Sequence, residues 1–299
     1  MVALTHPRMG VSDKQAIAGG RAAIVAGVRT PIAKAGTAFR DVHVTDLVRS
    51  TFQELLYRTE VRADQLDEVI LGNVCMPADA ANPARVSALW AGVPDRVPAV
   101  TVQRNCASGV EAVAEASGRV RDGARLVLAG GAESMSTIPL LFPAETLAPM
   151  SRLARARSLW QKSAAAMALR PRHFRPVIGL ELGLTDPTCG MIMGKTAERL
   201  ASEFGITRRE QDEFALRSHQ RATVAIDAGR FEQEICPVYV PTSGDGPKGF
   251  EAVVEDIGPR ANQTLEALAK LKPIFDRRDG TVTVGNSCQV SDGAVADLA

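Results

Sequence analysis

The hydrophobic and polar positions of this chain fall into two regimes. From Ala22 to Ala129, short apolar runs alternate with stretches of helical spacing. Ala22 to Val28 reads as a buried strand, Asp46 to Leu56 as a helix, and Glu68 to Val74 as a second strand. Asn82-Pro83 has the form of an N-cap with proline at the first helical position, opening a short helix through Leu89. Ala99 to Val102 is a third strand, Ala107 to about Val120 a helix, and Arg125 to Ala129 a fourth strand. Such alternation predicts an α/β protein with a mostly parallel sheet.

After Gly130-Gly131 the alternation stops. Ser134 to about Arg278 reads as an inserted, mainly helical region. Its strongest helix is opened by a capping box from Thr207 to Glu210 and closed at Gly229. The β pattern resumes at Thr281 to Val284, and Gly293 to Ala299 reads as the start of a helix. A sheet helix of about one turn covers no sheet face, so this reading expects a chain cut short at its C-terminus. Residues 1–20, ending in Gly19-Gly20, read as a flexible leader.

Composition narrows the class without naming a function. Of 299 residues 45% are apolar and 23% charged, with a formal net charge of +1, which excludes a disordered chain and a strongly basic nucleic-acid binder. No run approaches the roughly 18 apolar residues of a membrane-spanning helix, and the N-terminus lacks the apolar core of a secretory signal. The expectation is a cytoplasmic protein. The five cysteines, Cys75, Cys106, Cys189, Cys236 and Cys288, are odd in number and never in Cys-x-x-Cys spacing, so neither a disulfide framework nor a metal site is expected.

Cys106 stands between the end of a predicted strand and the start of a helix, in Asn105-Cys106-Ala107-Ser108-Gly109. The unpaired N–H groups of a helix N-terminus favour thiolate over thiol, so the position suits a nucleophile. An isolated cysteine is more often a small buried apolar residue. Position and context reverse that preference here, because the following helix is rich in Ala, Ser, Gly and Val almost all round and can pack closely on more than one side.

This segment resembles the nucleophile motif of the thiolases, a family of acyl-CoA acyltransferases. Ala129-Gly130-Gly131-Ala132-Glu133-Ser134-Met135-Ser136 resembles the segment that closes the family's fourth strand. Further similarities are Met193-Gly194-Lys195-Thr196-Ala197-Glu198, the stretch from Glu210 to Ser218, Gly229-Arg230-Phe231 and the stretch from Gly280 to Ser287, all in family order from about Arg21 onward. The stretches from Leu268 to Asp276 and from Arg217 to Ala222 are most similar to the branch of β-subunits of trifunctional fatty-acid oxidation complexes.

The resemblance implies an N-terminal βαβαβαβ half over 21–136 and 280–299, its last helix incomplete. It also implies an inserted loop domain over 137–279 that binds coenzyme A, with the C-terminal half of the family's fold absent. It implies acyl transfer through Cys106, by cleavage of 3-ketoacyl-CoA with coenzyme A or by condensation of acyl-CoAs in β-oxidation or its reverse. Coenzyme A thioesters are then substrates, with no bound cofactor. Substrate contacts fall at Met193 and at Cys288, which replaces the serine that hydrogen-bonds the pantetheine amide in the family. A thiol there binds more weakly or is simply a tolerated small residue. Implied partners are a second copy, a complementary thiolase half, or the other subunit of a fatty-acid oxidation complex.

Three family features do not occur in these residues: a Gly-His-Pro histidine, a Cys-x-Gly cysteine and the asparagine of the oxyanion hole. The four histidines, His6, His43, His173 and His219, lie in other contexts. Each acid or base contributes about 100- to 10,000-fold, so impaired turnover is expected. The alternative is a non-catalytic subunit that binds acyl-CoA or a partner chain.

Residues 146–180 carry seven basic residues, Arg152, Arg155, Arg157, Lys162, Arg170, Arg172 and Arg175, and no acidic one. Leu153, Ala156, Trp160, Ala164 and Met167 fall on one face of a predicted helix. A solvated helix, attraction of coenzyme A phosphates, and attachment to a membrane surface or partner subunit all fit this basic amphipathic pattern. Gly190 to Thr196 is one residue too short for a phosphate loop and follows no strand, and no Gly-x-Gly-x-x-Gly follows the first strand, so nucleotide binding is not expected.

Overall fold

A computed structural model describes residues 22–242 and 249–299. The leader expected over residues 1–20 lies outside them. In chain order the elements are β1 (Ala26–Arg29), β2 (Ala33–Lys34), α1 (Val44–Thr59), β3 (Glu68–Gly72), α2 (Pro83–Trp90), β4 (Ala99–Val102), α3 (Ser108–Arg121) and β5 (Val127–Ser134). Then follow β6 (Leu140–Leu141), α4 (Leu147–Arg155), α5 (Leu159–Met167), β7 (Val177–Ile178), α6 (Gly179–Gly183), α7 (Met193–Phe204) and α8 (Arg208–Asp227). The last are β8 (Val238–Pro241), β9 (Phe250–Val253), α9 (Leu265–Ala269) and β10 (Ser291–Leu298).

The main sheet has the order β1-β10-β5-β3-β4, with β2 beside β10. β3 runs parallel to β4 and β5, and β10 is antiparallel to β5, β1 and β2. All strands but β10 therefore point the same way, which is the mostly parallel α/β sheet the pattern predicted, with one reversed strand near its centre. α1 and α2 cover one face, packing Leu47, Val48, Phe52, Leu55, Ala84 and Ala88 on Val69, Leu71 and Leu128 of the strands. α3 covers the other face with Ala112 and Ala116 on Ile70, Val127 and Ala129. The period-2 alternation of β3 and β5 decides which residue faces which layer.

Local signals explain several boundaries. Asn82 Oδ1 accepts the Arg85 N–H at 3.1 Å with Pro83 beside it, the cap read from the sequence. Thr207 and Glu210 exchange hydrogen bonds at the start of α8, and Gly229 with φ +66° follows its end. The fourth strand runs past Ala129 through Gly130-Gly131 to Ser134, longer than predicted.

Three expectations are corrected. Gly293 to Ala299 does not start a helix: the segment lies in β10, whose Asp292, Ala294, Ala296 and Leu298 are buried in alternation. Helix propensity of the alanines yields to two flanking strands that accept this period. No incomplete final helix remains. Thr281 to Val284 is not a strand, because its backbone N–H groups are taken by side chains. Glu198 accepts those of Thr281 and Val282 at 2.8 and 2.9 Å, and Asn286 accepts that of Thr283 at 2.7 Å. The basic helix of 146–180 is two helices. Ala156 is extended at φ −67°, ψ 120°, and Ser158 caps a new helix with Gln161, so Ala156 and Trp160 do not share one helix face.

The insert covers the β1 edge. Arg29 donates its backbone N–H to Glu234 and accepts from Cys236, and Ile257 N–H pairs with Ile32. The Arg29 guanidinium grips Asp256 through both carboxylate oxygens, at 2.7 and 2.9 Å, while Asp256 also accepts the Ile32 N–H. Both side chains are largely screened from water. Asp256→Ala removes the bidentate partner and leaves the guanidinium with the more distant Glu234 carboxylate at 3.7 Å, and we expect a loss of about 2 kcal/mol in urea unfolding.

Candidate active site

The end of β4 and the start of α3 are joined by a tight turn. Asn105 adopts the left-handed conformation at φ +48°, which asparagine tolerates better than most residues. Ser108 locks the turn: its hydroxyl accepts the Arg104 N–H at 2.8 Å and donates to the Asn105 carbonyl at 2.6 Å. Cys106 sits at the crest, exposed, two residues before the first residue of α3. The predicted placement of Cys106 between strand and helix is what the structure shows.

How closely α3 lies on the sheet is set by glycines. A Cβ at Gly72 would stand 2.3 Å from the Ser108 carbonyl, and one at Gly131 would stand 3.0 Å from Gly109 Cα. The start of α3 thus rests on the ends of β3 and β5, and Cys106 opens into a cavity of about 750 Å³ beyond the carboxyl ends of these strands. Ligands of open α/β sheets bind at such ends.

One wall is the segment Asn73-Val74-Cys75. Glu133 braces it, accepting from Asn73 Nδ2 at 3.1 Å, Val74 N at 3.0 Å and Cys75 N at 3.3 Å. Burial pushes the Glu133 carboxyl above the usual carboxylate range, against the pull of those donors. Burial, with the nearby Glu133 charge, pushes the Cys75 thiol up as well. The opposite wall comes from the insert: Leu180, Leu182, Leu184 and Met193 line the cavity.

Cys106 and Met193 therefore share one cavity. Cys288 does not line it: it is exposed in the loop before β10, its thiol 3.5 Å from the Gln289 carbonyl oxygen. None of the described histidines, His43, His173 and His219, is a lining residue. Among the described residues no cluster of His, Cys, Asp or Glu could hold a metal ion, and no helix is long and apolar enough to cross a membrane. Sequence reading passed over Asn73, Glu133 as a brace, and the three leucines. Glu133 lies inside the Ala129 to Ser136 motif, where a glutamate next to a small-residue strand end is the available signal. The leucines have no local signature, since their role arises from tertiary placement.

A doubly covered α/β sheet with an exposed cysteine on a strand-to-helix turn defines a fold built around one positioned thiol. The chain belongs to the thiolase N-terminal domain family: the family described as "Thiolase, N-terminal domain" matches residues 22–298. It is 40% identical over 277 residues to an acetyl-CoA acetyltransferase of Pseudomonas aeruginosa, covering 92% of this chain and 64% of that protein. It is 37% identical over 279 residues to a 3-ketoacyl-CoA thiolase of Escherichia coli, covering 93% and 62%. The crystal structure of the Bacillus anthracis acetyl-CoA acetyltransferase superposes with a TM-score of 0.79 at 36% identity, covering 94% of this chain and 65% of that one. The chain thus spans a little under two thirds of the length of these relatives.

The cysteines provide the test. Iodoacetamide at neutral pH, followed by peptide mass mapping, should modify Cys106 faster than Cys75, Cys189 or Cys236. Burial holds Cys236 at a pKa of about 11, so its labelling should rise about tenfold per pH unit and stay slow until that range. Gly72→Ala should cost about 2 kcal/mol or more by overpacking and erase the Cys106 preference.

Proposed function

We propose that this chain carries the nucleophilic part of a thiolase-type acyl-CoA acyltransferase. The observation that carries the reading is Cys106, exposed on a locked turn at the mouth of a cavity. Its thiolate attacks the 3-keto carbonyl of a 3-ketoacyl-CoA. The bond between the α and β carbons breaks, the acetyl-CoA carbanion takes up a proton, and the acyl group stays on the sulfur as a thioester. The thiol of coenzyme A then receives the acyl group, its proton passing to the cysteine sulfur. In the condensing direction an acyl-CoA acylates Cys106 first, releasing coenzyme A, and a second acyl-CoA, deprotonated at its α carbon, attacks the thioester. Coenzyme A thioesters are substrates in both directions, and Met193 is a contact. The role of Cys288 rests on the resemblance alone. The relatives named for acetyl transfer and for 3-ketoacyl cleavage support this class.

A second reading, a thiolase-fold subunit that binds acyl-CoA without turnover, is favoured by one observation: no described histidine lines the cavity to act as base. Both readings place the chain in the cytoplasm with a second copy, a complementary thiolase half or a fatty-acid oxidation partner. α4 and α5 present Leu159 and Trp160 to solvent beside Arg152, Arg155 and Lys162, a surface suited to that partner or to an anionic membrane.

The two readings part in one experiment. The 299-residue protein is incubated with acetyl-CoA and followed by intact mass, and with acetoacetyl-CoA and coenzyme A and followed by turnover. We expect one acetyl group on Cys106, absent in Cys106→Ala, with turnover reduced about 100-fold or more against an enzyme that has its acid and base groups. An unmodified Cys106 would overturn the acyltransferase reading and leave the binding subunit.

A further inference from the structure

Two of the five cysteines open into the same cavity, Cys106 exposed on its turn and Cys75 half-buried in the wall. The other three, Cys189, Cys236 and Cys288, are not among the residues that line it. β3 and β4 run side by side as far as Gly72 and Val102, and the Asn73 N–H still donates to the Val102 carbonyl at 3.2 Å. Just beyond, the Ser108 carbonyl lies 2.3 Å from the place of a Cβ on Gly72, so the segments that carry the two thiols touch backbone to backbone. Cys75 is three residues from that contact and Cys106 two. With about 3.8 Å between consecutive Cα atoms, their Cα atoms lie within about 11 and 8 Å of it.

The two thiols differ in exposure. A dissolved oxidant meets Cys106 first, because that residue is exposed at the cavity mouth. Cys75 is shielded, and burial with the nearby Glu133 charge keeps its thiol protonated, so it is slow toward an oxidant itself. Cysteines that oxidise reversibly are exposed and stand near a second thiol that closes the first product to a disulfide. A disulfide holds its two Cα atoms about 5.5–6 Å apart, so the segment that carries Cys75 needs room to shift. The connection 73–82 between β3 and α2 contains no helix or strand, and Cys75 is the last of its residues that Glu133 holds.

We propose that Cys75 is the resolving thiol of Cys106, so that a hydroperoxide converts the pair to an intramolecular disulfide and takes the nucleophile out of use reversibly. The Cys106 thiolate attacks one oxygen of hydrogen peroxide. An S–O bond forms, the O–O bond breaks, and hydroxide leaves and is protonated to water. Sulfur is oxidised by two electrons to a sulfenic acid, and the peroxide is reduced. The Cys75 sulfur then attacks the sulfenic sulfur: an S–S bond forms, the S–O bond breaks, and hydroxide leaves as water with the proton of the Cys75 thiol. A small dithiol reverses the exchange through a mixed disulfide and is itself oxidised. An acyl group on the Cys106 sulfur shields it from peroxide, and the disulfide in turn excludes the acyl group. This rests on the reading of Cys106 as the reactive thiol and not on acyl transfer.

The whole chain is treated with hydrogen peroxide, blocked with iodoacetamide, digested without reductant and mapped by peptide mass. We expect the intact mass to fall by two hydrogen atoms and the peptide of Cys75 to be joined to that of Cys106. Iodoacetamide labelling of both should be lost together and recovered together with dithiothreitol. In Cys75→Ser the Cys106 sulfenic acid has no thiol to close on, so it goes on to sulfinic and sulfonic acid, and dithiothreitol no longer recovers its labelling. Cys189→Ser should form the link between Cys75 and Cys106 as the parent does.

Sulfinic acid on Cys106 of the parent protein while Cys75 still takes iodoacetamide would overturn the pair. A link from Cys106 to Cys189, to Cys288 or to a second chain would overturn it equally. A disulfide that forms as expected in protein that acetyl-CoA does not acetylate would overturn acyl transfer and leave the pair standing. If Cys106 neither oxidises nor labels faster than Cys189, both readings fail.

Discussion

The contact on which the rest of the site depends is the seat of α3 on the ends of β3 and β5. Backbone lies on backbone there, and the missing side chains of Gly72 and Gly131 allow it. A helix packed through ordinary side chains stands about 10 Å from its partner surface, which would lift the turn at Asn105 away from the strand ends. Because α3 sits low, the thiol emerges level with the Asn73–Cys75 segment and one cavity serves both. The left-handed Asn105 and the double hydrogen bond of Ser108 then fix the direction in which Cys106 points. Position here is a backbone property, which is why so few side chains are needed to hold the cysteine.

The insert completes the site from the other side, and it can do so only if it is tied to the sheet. Two sets of contacts do this. Arg29 and Asp256 join it to the β1 edge, with the guanidinium also stacked 5.1 Å from the Phe231 ring centre. Near β10, Asp212 is buried and shared between Arg208 and Asn286, and Asn286 in turn holds the Thr283 N–H. Glu198 on α7 takes two further N–H groups of the same loop. Since Met193 begins α7, the carboxylate that orders the 281–283 segment belongs to the helix that also delivers a cavity wall.

What was legible in the sequence follows from how local each signal is. The Asn82 and Thr207 caps, the α1 periodicity and the strand-to-helix position of Cys106 are written within a few residues and appear as read. β10 was misread because Gly-Ala-Val-Ala-Asp-Leu contains good helix formers, and only its neighbours β5 and β1 impose the period of two. Thr281 to Val284 was misread for the opposite reason: strand-forming residues whose N–H groups are claimed by Glu198 and Asn286, residues far away or on another turn. The cavity's polar brace and its leucine wall join β3, β5 and the insert, so no window of the chain displays them.

The same division separates the positioning of the thiol from the role of the carboxylate beside it. Forming a bond from sulfur to a carbonyl carbon needs the sulfur held at the right place, which α3 and its glycine seat provide. Moving a proton at the α carbon needs a titratable group within hydrogen-bond reach, and Glu133, the carboxylate in the wall, is not free for it. Its oxygens are occupied by Asn73, Val74 and Cys75, and a base whose lone pairs already hold N–H donors cannot take a proton without releasing the wall it supports. Glu133 is thus a brace, and the Cys75 thiol, pushed up by burial and by the Glu133 charge, is held as a neutral group.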